Sequence, residues 1–105
     1  MNQHYKFVNT PLPYSYNAME PYIDEKTMYL HHDKHLQTYI DNLNNALSQY
    51  PEFQTWTLEQ LLVNVPSLPT DLQTAVTNNG GGVFNHQFTF LTLQILRLLN
   101  RGFAC

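Results

Sequence analysis

The stretch Thr27-Met28-Tyr29-Leu30-His31-His32-Asp33-Lys34-His35-Leu36-Gln37-Thr38-Tyr39 decides the fold, because it sets His31, His35 and Tyr39 at intervals of four in a segment of helical periodicity. Residues four apart on a helix are surface neighbours, so two imidazoles and a phenol line one strip. A single histidine on a half-buried helix is commonly a packing residue. Three of the five histidines of this chain fall within five residues here, which points to a site.

Working outward, Met28, His32, His35, Tyr39, Leu43, Ala46 and Tyr50 step by threes and fours from Asp24 until Pro51 stops the run. The pattern predicts one helix of roughly seven turns. Asp24 suits its N-cap, Glu25 its positive end, and the asparagines of 42–47 weaken it enough for a bend. Upstream, Pro11, Pro13 and Pro21 predict an extended arm over residues 1–22, whose Tyr14, Tyr16 and Tyr22 pack across the helices. Downstream, Thr57-Leu58-Glu59-Gln60 has capping-box form and opens a short helix that Pro66 and Pro69 end. Thr70 or Asp71 caps another through Leu72, Ala75 and Val76, and Asn78-Asn79-Gly80-Gly81-Gly82 stops it in a flexible, close-packing turn. Val83 to Leu99, apolar on more than one side, reads as a mostly buried helix.

The predicted fold class is therefore all-α. An antiparallel hairpin of two long helices with short connecting helices occupies residues 23–99, preceded by the extended Pro/Tyr-rich arm and followed by a tail, 100–105. No strand pattern and no internal repeat stands out.

Charged residues make up 12% of the 105 residues and the formal net charge is −3, so no basic face is offered to phosphate backbones and nucleic acid is not an expected partner. The one cysteine, Cys105, excludes a disulfide framework and a CxxC motif. The first residues lack the form of a signal peptide, and Phe88–Leu99 is too short and too interrupted to span a bilayer. A cytoplasmic protein without membrane attachment is expected. Hydrophobic residues at 43% suffice for a modest core.

His86, bracketed by Phe84, Phe88 and Phe90, is a polar ring in an apolar segment. An unsatisfied buried nitrogen costs about 1–3 kcal/mol, so His86 needs a partner: a backbone carbonyl, Asn85, or a metal shared with the histidine strip of the first helix. Imidazole suits iron, manganese, copper and zinc alike. His32 and Asp33 sit off the strip, and Lys34 reads as a solvated charge.

Three ordered segments, Pro11-Leu12-Pro13-Tyr14-Ser15-Tyr16-Asn17-Ala18-Met19-Glu20-Pro21-Tyr22-Ile23, His31-His32-Asp33-Lys34-His35-Leu36-Gln37-Thr38-Tyr39 and Asn78-Asn79-Gly80-Gly81-Gly82-Val83-Phe84-Asn85-His86, together resemble the N-terminal helical-hairpin domain of iron/manganese superoxide dismutases. The resemblance implies that His31 and His86 are metal ligands, one from each long helix. It implies that Tyr39 and His35 lie just outside them along the substrate channel, as the catalytic residues. The implied cofactor is one manganese or iron ion, the substrate superoxide, the reaction its disproportionation, and the family assembly a homo-oligomer.

The chain departs from the family pattern at Leu36, often another histidine; at Asn17, usually aspartate; and at Phe90, often tryptophan. Gly82 stands where iron-type members often carry a glutamine, which resembles the manganese-type or metal-promiscuous pattern. The likeness fades after Phe90, and the C-terminal α/β domain that supplies an aspartate and a third histidine is absent. The expectation is a truncated or frame-shifted product that holds two of four protein ligands and is inactive alone. The rival readings are a non-catalytic helical module that self-associates through Phe84, Phe88 and Phe90, and a simple metal-binding helix pair.

Overall fold

Asp24 starts the first long helix from an extended conformation (φ −77°, ψ 160°), its carboxylate accepting the Thr27 N–H at 2.7 Å. In the computed structural model, which describes residues 2–103 and side chains as far as residue 99, α1 (Glu25–Tyr29) runs without interruption into a π-helical segment (Leu30–Leu36) and α2 (Gln37–Leu47). One face of this arm, Met28, His32, Leu36, Ile40, Leu43 and Leu47, is buried; of the expected row Met28, His32 and Leu43 lie on it, whereas His35 is exposed and Tyr39, Ala46 and Tyr50 are half-buried. The helix is not broken at residues 42–47. Asn44, a poor helix former, is buried there because its amide has a use: Oδ1 accepts the Phe7 N–H at 2.9 Å and Nδ2 donates to the Phe7 carbonyl at 2.8 Å. That pair ties the N-terminal segment to the helix.

The connection carries a 3₁₀ turn (Pro51–Phe53), α3 (Leu58–Val63) and a second 3₁₀ turn (Val65–Ser67). The capping box forms in both directions, Gln60 N–H to Thr57 Oγ1 at 3.1 Å and Thr57 N–H to Gln60 Oε1 at 2.8 Å. The cap expected from Thr70 or Asp71 does not form. Pro69 occupies the N-cap position of α4 (Thr70–Ala75) with no side-chain hydrogen bond.

A larger correction concerns 78–82. Instead of a turn, α4 continues through a π-helical segment (Val76–Gly80) into α5 (Gly81–Phe103), with no glycine at positive φ among the described residues. Gly80 and Gly82 serve the expected close packing, but not chain reversal. A Cβ on Gly80 would lie 3.4 Å from Leu58 and Leu62, and one on Gly82 would lie 2.7 Å from ring carbons of Tyr39. The second arm crosses the first at that point, and only a residue without a side chain lets the Tyr39 ring lie against its backbone.

The described residues contain no strand, and the two helical arms enclose a core that includes Leu58, Leu61, Leu72, Val76, Val83 and Phe90. Residues 2–24 hold no helix. Phe7 and Tyr14 are buried against the hairpin and Tyr14 donates to the Phe90 carbonyl at 3.0 Å, whereas Tyr22 is 87% exposed, contrary to expectation. The mostly buried second helix is also corrected. Phe84, Phe88, Leu91, Ile95 and Leu98 lie outward on α5, because the first arm covers only the opposite side through Val83, His86, Phe90 and Leu93. The expected tail, 100–105, is helical as far as Phe103, and residues 104–105, with Cys105, lie outside the described residues. No helix among the described residues is long and apolar enough to cross a membrane.

Candidate metal centre

The π-helical segment carries His31 and His35, and the opposing arm presents His86 one turn after Gly82. Such wide turns are uncommon and recur at functional sites. The rings of His31 and His35 meet edge to face with centroids 4.9 Å apart, those of His31 and His86 lie at 5.6 Å, and Tyr39 leans on His86 at 5.4 Å. The four rings predicted to share a site are thus brought together from residues up to 55 apart in sequence.

Nitrogen positions give the site its character. His86 Nδ1 is 2.8 Å from the Gly82 carbonyl oxygen, which can only accept, so Nδ1 carries a proton and Nε2 is the nitrogen left for a ligand. That Nε2 faces His31 Nδ1 at 3.5 Å. The carbonyl partner and the metal weighed for His86 are not exclusive, since each engages a different nitrogen. Partial burial lowers the pKa of His31 below the usual imidazole value, and the neighbouring His35 and His86 lower it further, which favours the neutral ring with a lone pair on one nitrogen. One nitrogen each from His31, His35 and His86 lies within 4.8 Å of the others. Beside them opens a cleft of about 300 Å³ with apolar walls from Ile23, Met28, Phe90 and Leu93.

His32 is turned the other way and takes no part. Its Nε2 faces the Thr10 carbonyl at 2.8 Å and its Nδ1 the Asp33 carboxylate at 2.7 Å, so both nitrogens are occupied. Tyr16 donates to the same Asp33 oxygen at 2.5 Å, and this hydrogen bond, with burial, pushes the phenol up to about 12. Asn9 adds a bond to the His32 carbonyl at 2.9 Å. The network pins the N-terminal segment to the back of the histidine-bearing turn. Sequence reasoning missed it, although His32 stood in the same periodic row as Met28 and Leu43, the signal of a buried position.

Residues 4–94 match the profile of iron/manganese superoxide dismutases, alpha-hairpin domain. Over 76 residues the chain is 50% identical to a manganese superoxide dismutase of Leptolyngbya boryana, an alignment that covers 72% of this chain and 31% of that relative. The chain therefore spans about a third of the length of the curated relative it matches. With the hairpin fold, the histidine pair across the two arms and this coverage, the chain belongs to the iron/manganese superoxide dismutase family, as its alpha-hairpin domain.

Proposed function

We propose that this chain is the hairpin portion of a superoxide dismutase centre, with His31 and His86 as ligands to one manganese or iron ion and superoxide as the substrate. The observation that carries the reading is the 3.5 Å approach of His31 Nδ1 to His86 Nε2. Two nitrogens that each bond one ion at about 2.1 Å can stand no more than about 4.2 Å apart, and this pair falls inside that limit. The donor set fits in a second way, because the Gly82 carbonyl fixes the tautomer of His86, as outer partners of metal-binding histidines do.

Bound manganese or iron supplies the one-electron couple that disproportionation of superoxide to oxygen and hydrogen peroxide needs. The protein's part is positional and protonic. Gly82 lets the Tyr39 ring settle beside His86, and His35 stands exposed at the rim. In this reading Tyr39 and His35 are the groups that pass protons to the peroxide product.

The test is metal analysis and superoxide consumption by the purified chain after loading with manganese or iron. The reading requires about one ion per chain, lost in both His31→Ala and His86→Ala. With two of the four protein ligands that the resemblance implies, turnover falls far below that of a full-length relative. Binding indifferent to both substitutions would refute it.

A second copy of the chain is the expected partner, and one observation favours this. Phe84, Phe88, Leu91, Ile95 and Leu98 are all exposed, between 41% and 62%, and follow the 4-3-4-3 spacing of a coiled-coil seam. The flanking positions Asn85, Gln87, Thr92 and Gln94 carry no charge to oppose pairing. With Leu99 the row offers roughly 500 Å² per copy, about 1,000 Å² per pair, at the threshold of a specific interface. Sedimentation should show dimers that Leu91→Glu with Ile95→Glu converts to monomers. A monomer at all concentrations would mean that something else, or nothing, covers this face.

A further inference from the structure

His35 is exposed, belongs to the same turn as His31, and needs no partner from outside the hairpin to reach the nitrogen pair. Two histidines at i and i+4 on one helical face are the spacing of a chelating pair for zinc, and here a third imidazole closes over them from the opposite arm. We propose that His31, His35 and His86 form a three-imidazole site, complete within this chain, for divalent ions that favour nitrogen donors, namely zinc, cobalt, nickel or copper. The proposal rests on the pairing of His31 with His86 described above and assigns His35 a ligand role that the dismutase reading does not.

Three observations support it. The His31–His86 separation of 3.5 Å is close to the ~3.4 Å between ligand nitrogens about 2.1 Å from a tetrahedral ion. The triad spans no more than 4.8 Å, so the closure still required is on the order of 1 Å, which rotation of the exposed His35 ring can provide without moving backbone. The donor set contains no carboxylate among the three, and all-imidazole sets suit these later divalent metals better than the harder manganese(II) ion. Three ligands leave a fourth position for solvent, in the manner of an open zinc site.

Titration of the purified chain with cobalt(II), followed by its visible absorption and then by displacement with zinc, tests the assignment. Expected are intense tetrahedral bands at one equivalent and a loss of affinity in His35→Ala greater than the roughly 10–100-fold that removal of an outer partner causes. In the unsubstituted chain, ¹⁵N spectra with zinc should show bound-nitrogen shifts for three imidazoles. Shifts confined to two rings, with His35→Ala binding as tightly as the parent while His31→Ala and His86→Ala do not bind, would overturn the three-imidazole site and leave the two-ligand reading standing. Failure of all three substitutions to change binding would remove both.

Discussion

Gly82→Ala is the substitution that most directly interrogates how the two arms meet. A methyl at this position would lie 2.7 Å from Cγ and Cδ1 and 2.8 Å from Cδ2 of Tyr39, atoms at the root of a rigid ring with no flexible end to yield. Overpacking of this kind costs about 1–3 kcal/mol. Against it stands the gain of about 1 kcal/mol when alanine replaces glycine inside a helix. Gly81 supplies the control: it is helical (φ −61°), and a Cβ there would meet nothing within 4 Å, so Gly81→Ala receives the gain alone. Urea unfolding followed by far-ultraviolet circular dichroism should therefore find Gly81→Ala more stable than the parent by up to about 1 kcal/mol, and Gly82→Ala less stable than Gly81→Ala by about 1–3 kcal/mol. In a Tyr39→Ala background the gap should close, because the clash has lost its partner, whereas Tyr39→Phe should preserve it. Equal stabilisation by both alanines would refute the claim that the Tyr39 ring rests on the Gly82 backbone.

Asn44→Leu keeps the bulk but orphans the Phe7 N–H and carbonyl, both buried against it; a loss of about 2–4 kcal/mol is expected by denaturant unfolding, with early proteolysis of the N-terminal segment. Thr57→Ala removes one half of the capping box and should cost about 1 kcal/mol in the same assay, with Thr57→Ser nearly neutral. Tyr16, hydrogen-bonded to Asp33, should ionise above the ordinary phenol value, at about 12, when phenolate absorbance is followed to high pH. Its folded pKa lies above the ordinary 10.0, so its contribution to stability is complete below about pH 10 and disappears as pH rises to about 12; Tyr16→Phe should abolish that alkaline loss. Asp24 has the opposite sign. The Thr27 hydrogen bonds hold its pKa below 3.8, so its contribution is full above that pH and is lost as pH falls through the folded value, a dependence that Asp24→Asn should flatten.

The first arm was legible because its signals are local. Asp24 as cap, the row through Met28, His32 and Leu43, and the Thr57–Gln60 box each depend on residues within one or two turns, which a linear pattern encodes directly. The histidine strip was legible for the same reason. Gly80-Gly81-Gly82 misled as to a turn though not as to close packing, since glycine marks both and only the position of Tyr39 on the other arm decides between them. Asn44 misled similarly, its helical cost being offset by a partner 37 residues away.

What the chain's own pattern determined is an all-helical hairpin with two imidazoles and a phenol along one face, because helical periodicity and capping are short-range. Tertiary structure alone decided which His86 nitrogen is free, that His32 is spent on Thr10 and Asp33, and that α5 turns an apolar row outward. Those outcomes depend on distances between groups far apart in sequence, and side-chain donors and acceptors are assigned only when the packed arms bring them within reach.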